Sequence, residues 1–310
     1  MRHNDFNFDL FRLTVQDDET LLDFMGEFIK SDTQIVNVIQ GACSKDWDYI
    51  QSTPKAKYLW GLRDFVMIPS TPQQDSYGFA LTLAKATLEK DGSIITPDAI
   101  RYARTETQPP LADTVSLVFY LNRHLVAVES KSSLTYGDGW LDALHKIVNS
   151  SARAKNYRSE IFLRPKPKTA QILKTFKSFQ RLTRVRVHLL LPNPDLSRFT
   201  QKLFEELKGG GIREYLADMK NPVGLNQNEM SLPHAAVSMA EDGYKKGDVV
   251  LEGIKDGKRK SIRTGKRPSK GKVEGIRDML RQLVKVAEIN RRLKVFDKIV
   301  DEIDQMLLEE

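Results

Sequence analysis

The clearest alternation of apolar and polar positions lies in residues 113–131, where two apolar runs flank a short polar break at Asn122-Arg123. β-branched, aromatic and aliphatic side chains in this arrangement predict two antiparallel strands joined by a tight turn. With those two residues as the turn, Phe119 lies opposite Val126, and one face of the hairpin is almost wholly apolar. We therefore expect the hairpin to lie inside a sheet that is covered by helices.

Similar patterns predict strands and helices along the rest of the chain. Period-two alternation predicts strands at 6–13, 35–39, 58–68, 159–163 and 184–191, and a hairpin of 247–254 with 259–263. Apolar steps of three and four predict helices at 17–29, 83–89, 140–154, 169–179, 195–208, 212–219 and 235–240. This order predicts an α+β fold, with helices on one face of a mixed or antiparallel sheet, a basic β-hairpin and a long C-terminal helix.

The last segment, 274–310, has apolar residues at steps of three or four from Met279 to Leu307, opposite a charged face. This spacing predicts one long helix, or two, with a single stripe to bury. A seam of this length is typical of helix–helix packing, so we expect a homo-oligomer contact or a docking site for a partner protein. The chain then divides into an acidic α+β domain at 1–110, a basic α+β domain at 111–272 and a helical segment at 273–310.

Positive charge is concentrated in the C-terminal two-thirds of the chain. The whole chain has a net charge of +7, and residues 1–100 contain 9 Lys/Arg and 15 Asp/Glu, so they carry −6 and the remaining 210 residues carry +13. Such asymmetry suits a polyanion such as DNA or RNA, although a solvated basic face without a partner has the same composition. Aromatic residues are few near the basic segments, which favours contact with the phosphate backbone of a duplex over base stacking.

The candidate nucleic-acid-binding residues lie in two basic stretches of the sequence. They are Arg153, Lys155, Arg158, Arg164, Lys166, Lys168, Arg181, Arg184, Arg186, Lys258, Arg259, Lys260, Arg263, Lys266 and Arg267. In the strand at 184–191 the alternation puts Arg184 and Arg186 on one side and Val185 and Val187 on the other. We expect the arginine side of that strand to be open to solvent.

Several functional classes lack their signatures in this sequence. The single cysteine, Cys43, argues against a disulfide framework and a Cys/His zinc cluster. The chain has no Walker A sequence, Rossmann glycine pattern, His-Glu-x-x-His motif or serine elbow. Because no window approaches eighteen uninterrupted apolar residues and the first residues lack a signal-peptide core, we expect a cytoplasmic protein without a membrane span.

A metal-dependent nuclease is an alternative that the sequence leaves open. A restriction-like nuclease holds Mg²⁺ with an Asp and with the Glu of a strand that ends in Glu-x-Lys, and the lysine assists the attacking water. Asp113, Glu129 and Lys131 have this spacing. In the hairpin with a two-residue turn, Asp113 lies on the face opposite Glu129 and Lys131, so a bulge or a longer turn would be needed to bring them together. Without this chemistry the sequence predicts no cofactor.

Three segments resemble an uncharacterised bacterial family, domain of unknown function 4747. They are the hairpin FYLNRHLVAVESK (119–131), the strand end RVRVHLLLPNPD (184–195) and the segment DGYKKG (242–247). The resemblance covers roughly residues 115–265 and implies a role in prokaryotic anti-phage defence, but it brings no active site to these residues. Our first hypothesis is a nucleic-acid-binding component of a defence system, and a non-enzymatic protein-interaction subunit is a further alternative.

Overall fold

The structure is a computed structural model that describes residues 4–17, 26–68, 77–106, 110–168, 170–191, 198–283 and 289–308. In these residues, thirteen strands form two antiparallel sheets and seven α-helices pack against them, which confirms the α+β class. The strands are β1 (Phe6–Asp17), β2 (Tyr49–Thr53), β3 (Ala56–Ile68), β4 (Gly78–Ile95), β5 (Ile100–Glu106), β6 (Ala112–Tyr120), β7 (Leu125–Glu129), β8 (Ser159–Pro165), β9 (Arg181–Leu190), β10 (Glu214–Lys220), β11 (Val249–Lys255), β12 (Lys258–Thr264) and β13 (Lys270–Val273). The helices are α1 (Asp32–Gly41), α2 (Gly139–Ala154), α3 (Gln171–Lys177), α4 (Arg198–Gly209), α5 (Leu232–Glu241), α6 (Arg277–Arg281) and α7 (Ile289–Leu308).

The large sheet has nine strands and is organised around the β6–β7 hairpin. Its order is β13-β1-β7-β6-β4-β3-β2, with β5 also paired to β4 and β8 also paired to β1. Phe119 lies opposite Val126, as the sequence predicts. The loop has four residues, two more than predicted: Tyr120 and Leu125 are the last pair, and a 3-10 turn at Leu121–Arg123 is followed by His124 in the left-handed region at φ 49°.

Helices cover both faces of the large sheet, whereas the sequence predicted helices on one face. Val126 packs on the side of α1 and α2, where Phe11 meets Trp140 edge-on at 5.3 Å between ring centroids. Leu125 and Ala127 point to the other side and pack with α6 and α7. The β7 strand is therefore buried on both faces, and it needs a helical layer on each.

The small sheet has the order β10-β9-β11-β12 and keeps its helices on one face. Val185, Val187 and Leu189 of β9 point towards α3, α4 and α5 and form a separate core with them. The opposite face carries Arg184 and Arg186 and has no helix over it in the described residues. This face is open, as the alternation in the sequence predicts.

The small sheet is an insertion into the large one. The chain leaves the large sheet after β8, builds the small sheet, and returns through β13, which pairs with β1. The boundary that the sequence suggested at residues 110 and 111 falls between β5 and β6, and both of these strands pair with β4. The large sheet is thus continuous across that position.

Three predicted elements have the other type of secondary structure. Residues 35–39 belong to α1 rather than to a strand, and residues 83–89 and 212–219 lie in β4 and around β10 rather than in helices. The helix expected at 17–29 falls mostly on residues 18–25, which lie outside the described ranges. None of the helices in the described ranges combines the length and apolarity needed to cross a bilayer.

The C-terminal seam is used within the chain, which corrects the expectation of an oligomer or partner contact. Phe296, Ile299 and Ile303 of α7 are buried against the large sheet, together with Val66 of β3 and Phe8 of β1. In the described residues, the apolar stripe is thus covered by the protein's own strands. The sequence predicted one long helix or two in this segment, and the structure has two in the described residues, α6 and α7.

A conservative change in this seam tests its intramolecular packing. Ile299→Val should lower the free energy of unfolding by about 0.5–1.5 kcal/mol, because it removes one methyl group from a fully buried position. The matched control is Ile289→Val on the same helix, where the side chain is 51% exposed and we expect little change. Chemical denaturation measures both. A melting temperature that rises with protein concentration, or equal effects of the two variants, would contradict intramolecular packing.

Candidate nucleic-acid interface

Glu129 is a buried structural carboxylate in the described structure. It lies at the end of β7 on the side of α6, and only 1% of its surface is exposed. Its Oε1 accepts hydrogen bonds from Nε of Arg277 at 2.7 Å and from Nη2 of Arg281 at 2.8 Å. Its Oε2 accepts the backbone N–H of Ser116 at 3.0 Å. Both oxygens are thus occupied by donors of the protein itself.

Asp113 and Lys131 form an ion pair on the other face of the sheet. Lys131 Nζ lies 2.6 Å from Asp113 Oδ1, and this hydrogen bond lowers the pKa of Asp113. Asp113 shares its face with Val115, as the alternation along β6 requires, while Glu129 points towards α6. The structure therefore does not bring the three candidate nuclease residues together. Within the described residues, no group of three or more His, Cys, Asp and Glu side chains could hold a metal ion.

Several of the candidate cations are engaged by the protein. Lys166 is 2% exposed, and its Nζ donates to the Glu241 carbonyl oxygen at 3.1 Å. Further contacts are those of Arg153 with Glu160, Arg164 with Gln16, Arg158 with the Phe28 ring and Lys260 with Asp256. These five residues are less available to a ligand than the sequence suggested. Lys155 is exposed at the end of α2.

The cations of the small sheet form one surface on its open face. This open-face surface consists of Arg181, Arg184, Arg186, Lys220, Arg259 and Arg263. Its members come from three of the four strands of the small sheet, β10, β9 and β12. Lys220 lies opposite Arg184, and both Arg186 and Arg263 lie opposite Val250 of the intervening β11. Arg186 and Arg263 are therefore two strand spacings apart, which is about 10 Å. Lys258, also exposed, starts β12 and lies opposite Lys255, on the other side of that strand from Arg259.

Two cations of the open-face surface are neutralised by Asp218. Arg184 donates to Asp218 from Nε at 2.7 Å and from Nη2 at 3.0 Å, and its Nη1 lies 3.2 Å from Glu252. Lys220 Nζ lies 3.0 Å from the same Asp218. These hydrogen bonds hold the pKa of Asp218 well below its usual range. Arg184 is therefore part of a network that ties three strands together.

The remaining four arginines of the open-face surface are unpaired among the described residues. Arg181, Arg186, Arg259 and Arg263 are exposed and form no salt bridge with any residue that the structure describes. An arginine without a carboxylate partner keeps all five N–H donors for a ligand. Two of them, Arg181 and Arg259, line a shallow depression that also includes Thr183.

Aromatic side chains are missing from the described part of this face. Between the cations lie Val250, Leu216 at 60% exposure, and His188, whose Nε2 is 3.3 Å from Glu214. Tyr215 points to the helical side of the sheet. The face offers charge to phosphates and little surface on which bases could stack.

Lys168, Lys266 and Arg267 belong to a different place, the junction between the two sheets. The chain crosses this junction twice, and the two crossings are joined by a hydrogen bond from the Ser269 N–H to the Lys166 carbonyl oxygen at 2.7 Å. Sequence reasoning did not single out Lys270 beside them, nor Lys220 on the open face. The sequence predicted a helix at 212–219, so no pattern indicated that Lys220 would lie in a sheet.

The junction is held by buried cations that bond to the loop after α5. Arg12 Nε donates to the Asp242 carbonyl oxygen at 2.9 Å, and its guanidinium lies 4.8 Å from the Tyr244 ring centroid. Lys245 donates to the Gly247 carbonyl oxygen at 2.7 Å, and burial lowers its pKa to about 8. The DGYKKG segment thus serves as the latch between the two sheets.

Comparison with known proteins gives a family and no function. No curated protein matches this chain. The model of one family, described as Domain of unknown function (DUF4747), matches residues 87–287, which include the β6–β7 hairpin, the whole small sheet and the latch. Since this match covers well over half of the 310 residues, the chain belongs to that family.

Proposed function

We propose that this protein binds the phosphate backbone of duplex nucleic acid through the open-face surface. The observation that carries the proposal is the set of four exposed arginines on one sheet face, none of which forms a salt bridge with a described residue. Arginine N–H groups pair strongly with phosphate oxygens, and a protein that neutralises phosphates gains affinity by releasing counterions. A surface of this kind needs no base contacts to bind.

The shape of the surface favours a duplex over a single strand. Sequence-tolerant binding of single strands relies on aromatic platforms, and the described part of this face has none. Charges about 10 Å apart on a sheet face suit repeated contacts along a backbone. We expect weak discrimination between sequences, because phosphate contacts carry no sequence information.

Removing two of the free arginines should weaken binding. Arg186→Gln combined with Arg263→Gln is expected to lower the affinity for a short duplex by at least about tenfold, because each charge-assisted hydrogen bond contributes about 1.5–3 kcal/mol. The slope of log Kobs against log salt should fall by about 0.9 for each phosphate contact that is lost. Fluorescence anisotropy across a salt series measures both quantities, with DNA and RNA duplexes compared in parallel.

The matched control removes the same charge from the helical side of the small sheet. Lys174→Gln combined with Lys202→Gln changes two exposed lysines of α3 and α4 and should leave binding unchanged. Arg184 is not a suitable target, because its loss would leave Asp218 and Glu252 without their main partner. Equal affinities of the wild-type protein and the Arg186/Arg263 variant, with equal salt slopes, would disprove the proposed surface.

Anti-phage defence is the biological setting of this proposal. It rests on the family resemblance of the hairpin, the β9 strand end and the latch, and the binding surface lies in the same family segment. If binding serves defence, cells that express the Arg186→Gln/Arg263→Gln variant should lose the protection against phage that the wild-type protein gives in a plaque assay. Equal protection by the two proteins would separate binding from defence.

A further inference from the structure

A cleft at the junction of the two sheets combines a cavity with unpaired positive charge. The cavity has a volume of about 750 Å³, within the range of small-molecule sites. Its walls are the two crossings of the chain, near 165–168 and 266–270, and the start of α2. The Leu10 N–H donates to the Ser269 carbonyl oxygen at 2.9 Å, so one wall is fixed to the edge of the large sheet.

Four cations lie around this junction cleft. They are Lys168, Lys266, Arg267 and Lys270, all exposed, and none forms a salt bridge with a described residue. Two carboxylates, Asp9 and Asp138, also line the cleft, so the cations outnumber them by two to one. Lys270 lies opposite Asp9 in the pairing of β13 with β1 and offsets the negative charge of that carboxylate. The field in the cleft therefore favours an anionic ligand.

The N-terminus of α2 adds N–H donors to the same cleft. The helix has sixteen residues, and Asp138 at its N-cap makes no side-chain capping hydrogen bond. The N–H groups of a first helical turn have no partner within the helix, and together with the helix dipole they attract anions. A Cβ built on Gly137 or Gly139 would meet no atom within 4 Å, so the backbone here is open to an approaching group. Trp140 and Phe11 line the wall beside it.

We propose that the junction cleft binds a terminal phosphate group, carried either by a mononucleotide or by the end of a nucleic-acid strand. A phosphate monoester has three free oxygens and two negative charges near neutral pH, which match several cations and helix N–H donors at once. An internal phosphodiester has two free oxygens and one charge. The concave cleft has room for a nucleotide, whereas the open-face surface is made of different residues on a flat sheet. The proposal therefore does not depend on the binding of a duplex by that surface.

Isothermal titration calorimetry with AMP and with adenosine tests the cleft. AMP should bind and adenosine should not, since only AMP carries the phosphate. Lys266→Ala combined with Arg267→Ala should weaken AMP binding by at least tenfold. The Arg186→Gln/Arg263→Gln variant serves as the matched control and should bind AMP as the wild-type protein does. All of these side chains are exposed, so their replacement leaves the packed cores unchanged.

Two further arms identify the source of the phosphate. Inorganic phosphate shows whether the group alone is sufficient, and a single-stranded oligonucleotide with a 5′ phosphate is compared with its 5′-hydroxyl counterpart. Tighter binding of the phosphorylated strand than of AMP would assign the site to strand ends, and the reverse order would assign it to free nucleotides. Equal binding of AMP and adenosine, no binding of any phosphorylated probe, or undiminished AMP binding by the Lys266/Arg267 variant would overturn the proposal.

Discussion

Replacing Glu129 with alanine should lower the free energy of unfolding by about 3–5 kcal/mol, the usual effect of removing one member of a buried ion pair. The change deprives Arg277 and Arg281 of their shared partner and leaves the Ser116 N–H unsatisfied inside the sheet. The side chains of the two arginines are 30% and 36% exposed, so water replaces part of what they lose. We therefore expect a value near the lower end of that range.

Two companion variants separate this structural role from a metal-binding role. Glu129→Gln keeps an oxygen for the Ser116 N–H and should cost less than Glu129→Ala. Arg277→Ala should also destabilise the protein, because it leaves a buried carboxylate with one of its two arginines. A metal ligand would give the opposite pattern, with a stable Glu129→Ala protein. Urea denaturation of all three variants provides the measurement, and a Glu129→Ala protein within 0.5 kcal/mol of wild type, on the order of a neutral surface change, contradicts the structural role.

Glu129 also explains how the C-terminal segment is placed. Its two arginine partners lie on α6, which precedes the helix that covers one face of the large sheet. The apolar seam of α7 supplies the burial, while the ion pairs fix where α6 meets β6 and β7. The seam shows that a partner surface is needed, but the partner is the protein's own sheet. Periodicity reports that a stripe must be buried, and only the tertiary structure determines what buries it.

The hairpin register was predictable because the turn and the apolar pattern agree. Shifting β7 by one residue would move Val126 and Val128 from the α2 side of the sheet to the α7 side. Every side chain of the strand would then face the wrong core. The alternation along the two strands also predicts that Asp113 and Glu129 lie on opposite faces, and they do. The loop is longer than predicted by two residues, one on each side of Asn122-Arg123, so the pairing of Phe119 with Val126 is unchanged.

The secondary structure of three segments was predicted wrongly, for different physical reasons. At 35–39 a short apolar run fits either period, and the capping box formed by Ser31 and Gln34 decides for a helix. At 83–89 the spacing is helical, but β4 lies between β3 and β6 and receives hydrogen bonds from both. The segment 212–219 becomes an edge strand because it pairs with β9, and Leu216 remains exposed as a result. Local propensity is overridden by tertiary pairing in the last two cases.

The positive charge of the open-face surface was predictable from the sequence, but the salt bridges that neutralise part of it were not. Alternation along β9 correctly gave Arg186 an exposed position on the open face. The neutralisation of Arg184 depends on Asp218, and that residue lies on a strand whose apolar spacing predicted a helix. The junction cleft joins residues of β1, of the start of α2 and of the second crossing, which are far apart in sequence. No pattern within one segment could have shown it.

The second large effect concerns pH and His145. Its Nε2 accepts the Leu163 N–H at 2.9 Å, and the ring packs edge-on against Phe162. Burial, and to a smaller extent the positive charge of Arg164, lowers the pKa of His145 to about 4. A neutral ring that uses Nε2 as an acceptor joins α2 to β8 and is unsuited to donate a proton near pH 7. We therefore interpret His145 as structural.

The free energy of unfolding should fall between pH 6.5 and pH 4 because of this residue. In that window the unfolded chain, with an ordinary histidine pKa, binds a proton that the folded protein does not, so lowering the pH favours unfolding. The full change is up to about 3 kcal/mol, since one pKa unit corresponds to about 1.4 kcal/mol. Above pH 6.5 both states are neutral at this site and the effect vanishes.

His145→Gln places an amide oxygen near the Nε2 position and cannot titrate, so the stability difference between the two proteins should change with pH only between pH 6.5 and pH 4. Denaturation at pH 7.5, 5.5 and 4.5 measures it, and a difference that stays constant over these values would show that His145 is protonated as easily in the folded protein as in the unfolded chain.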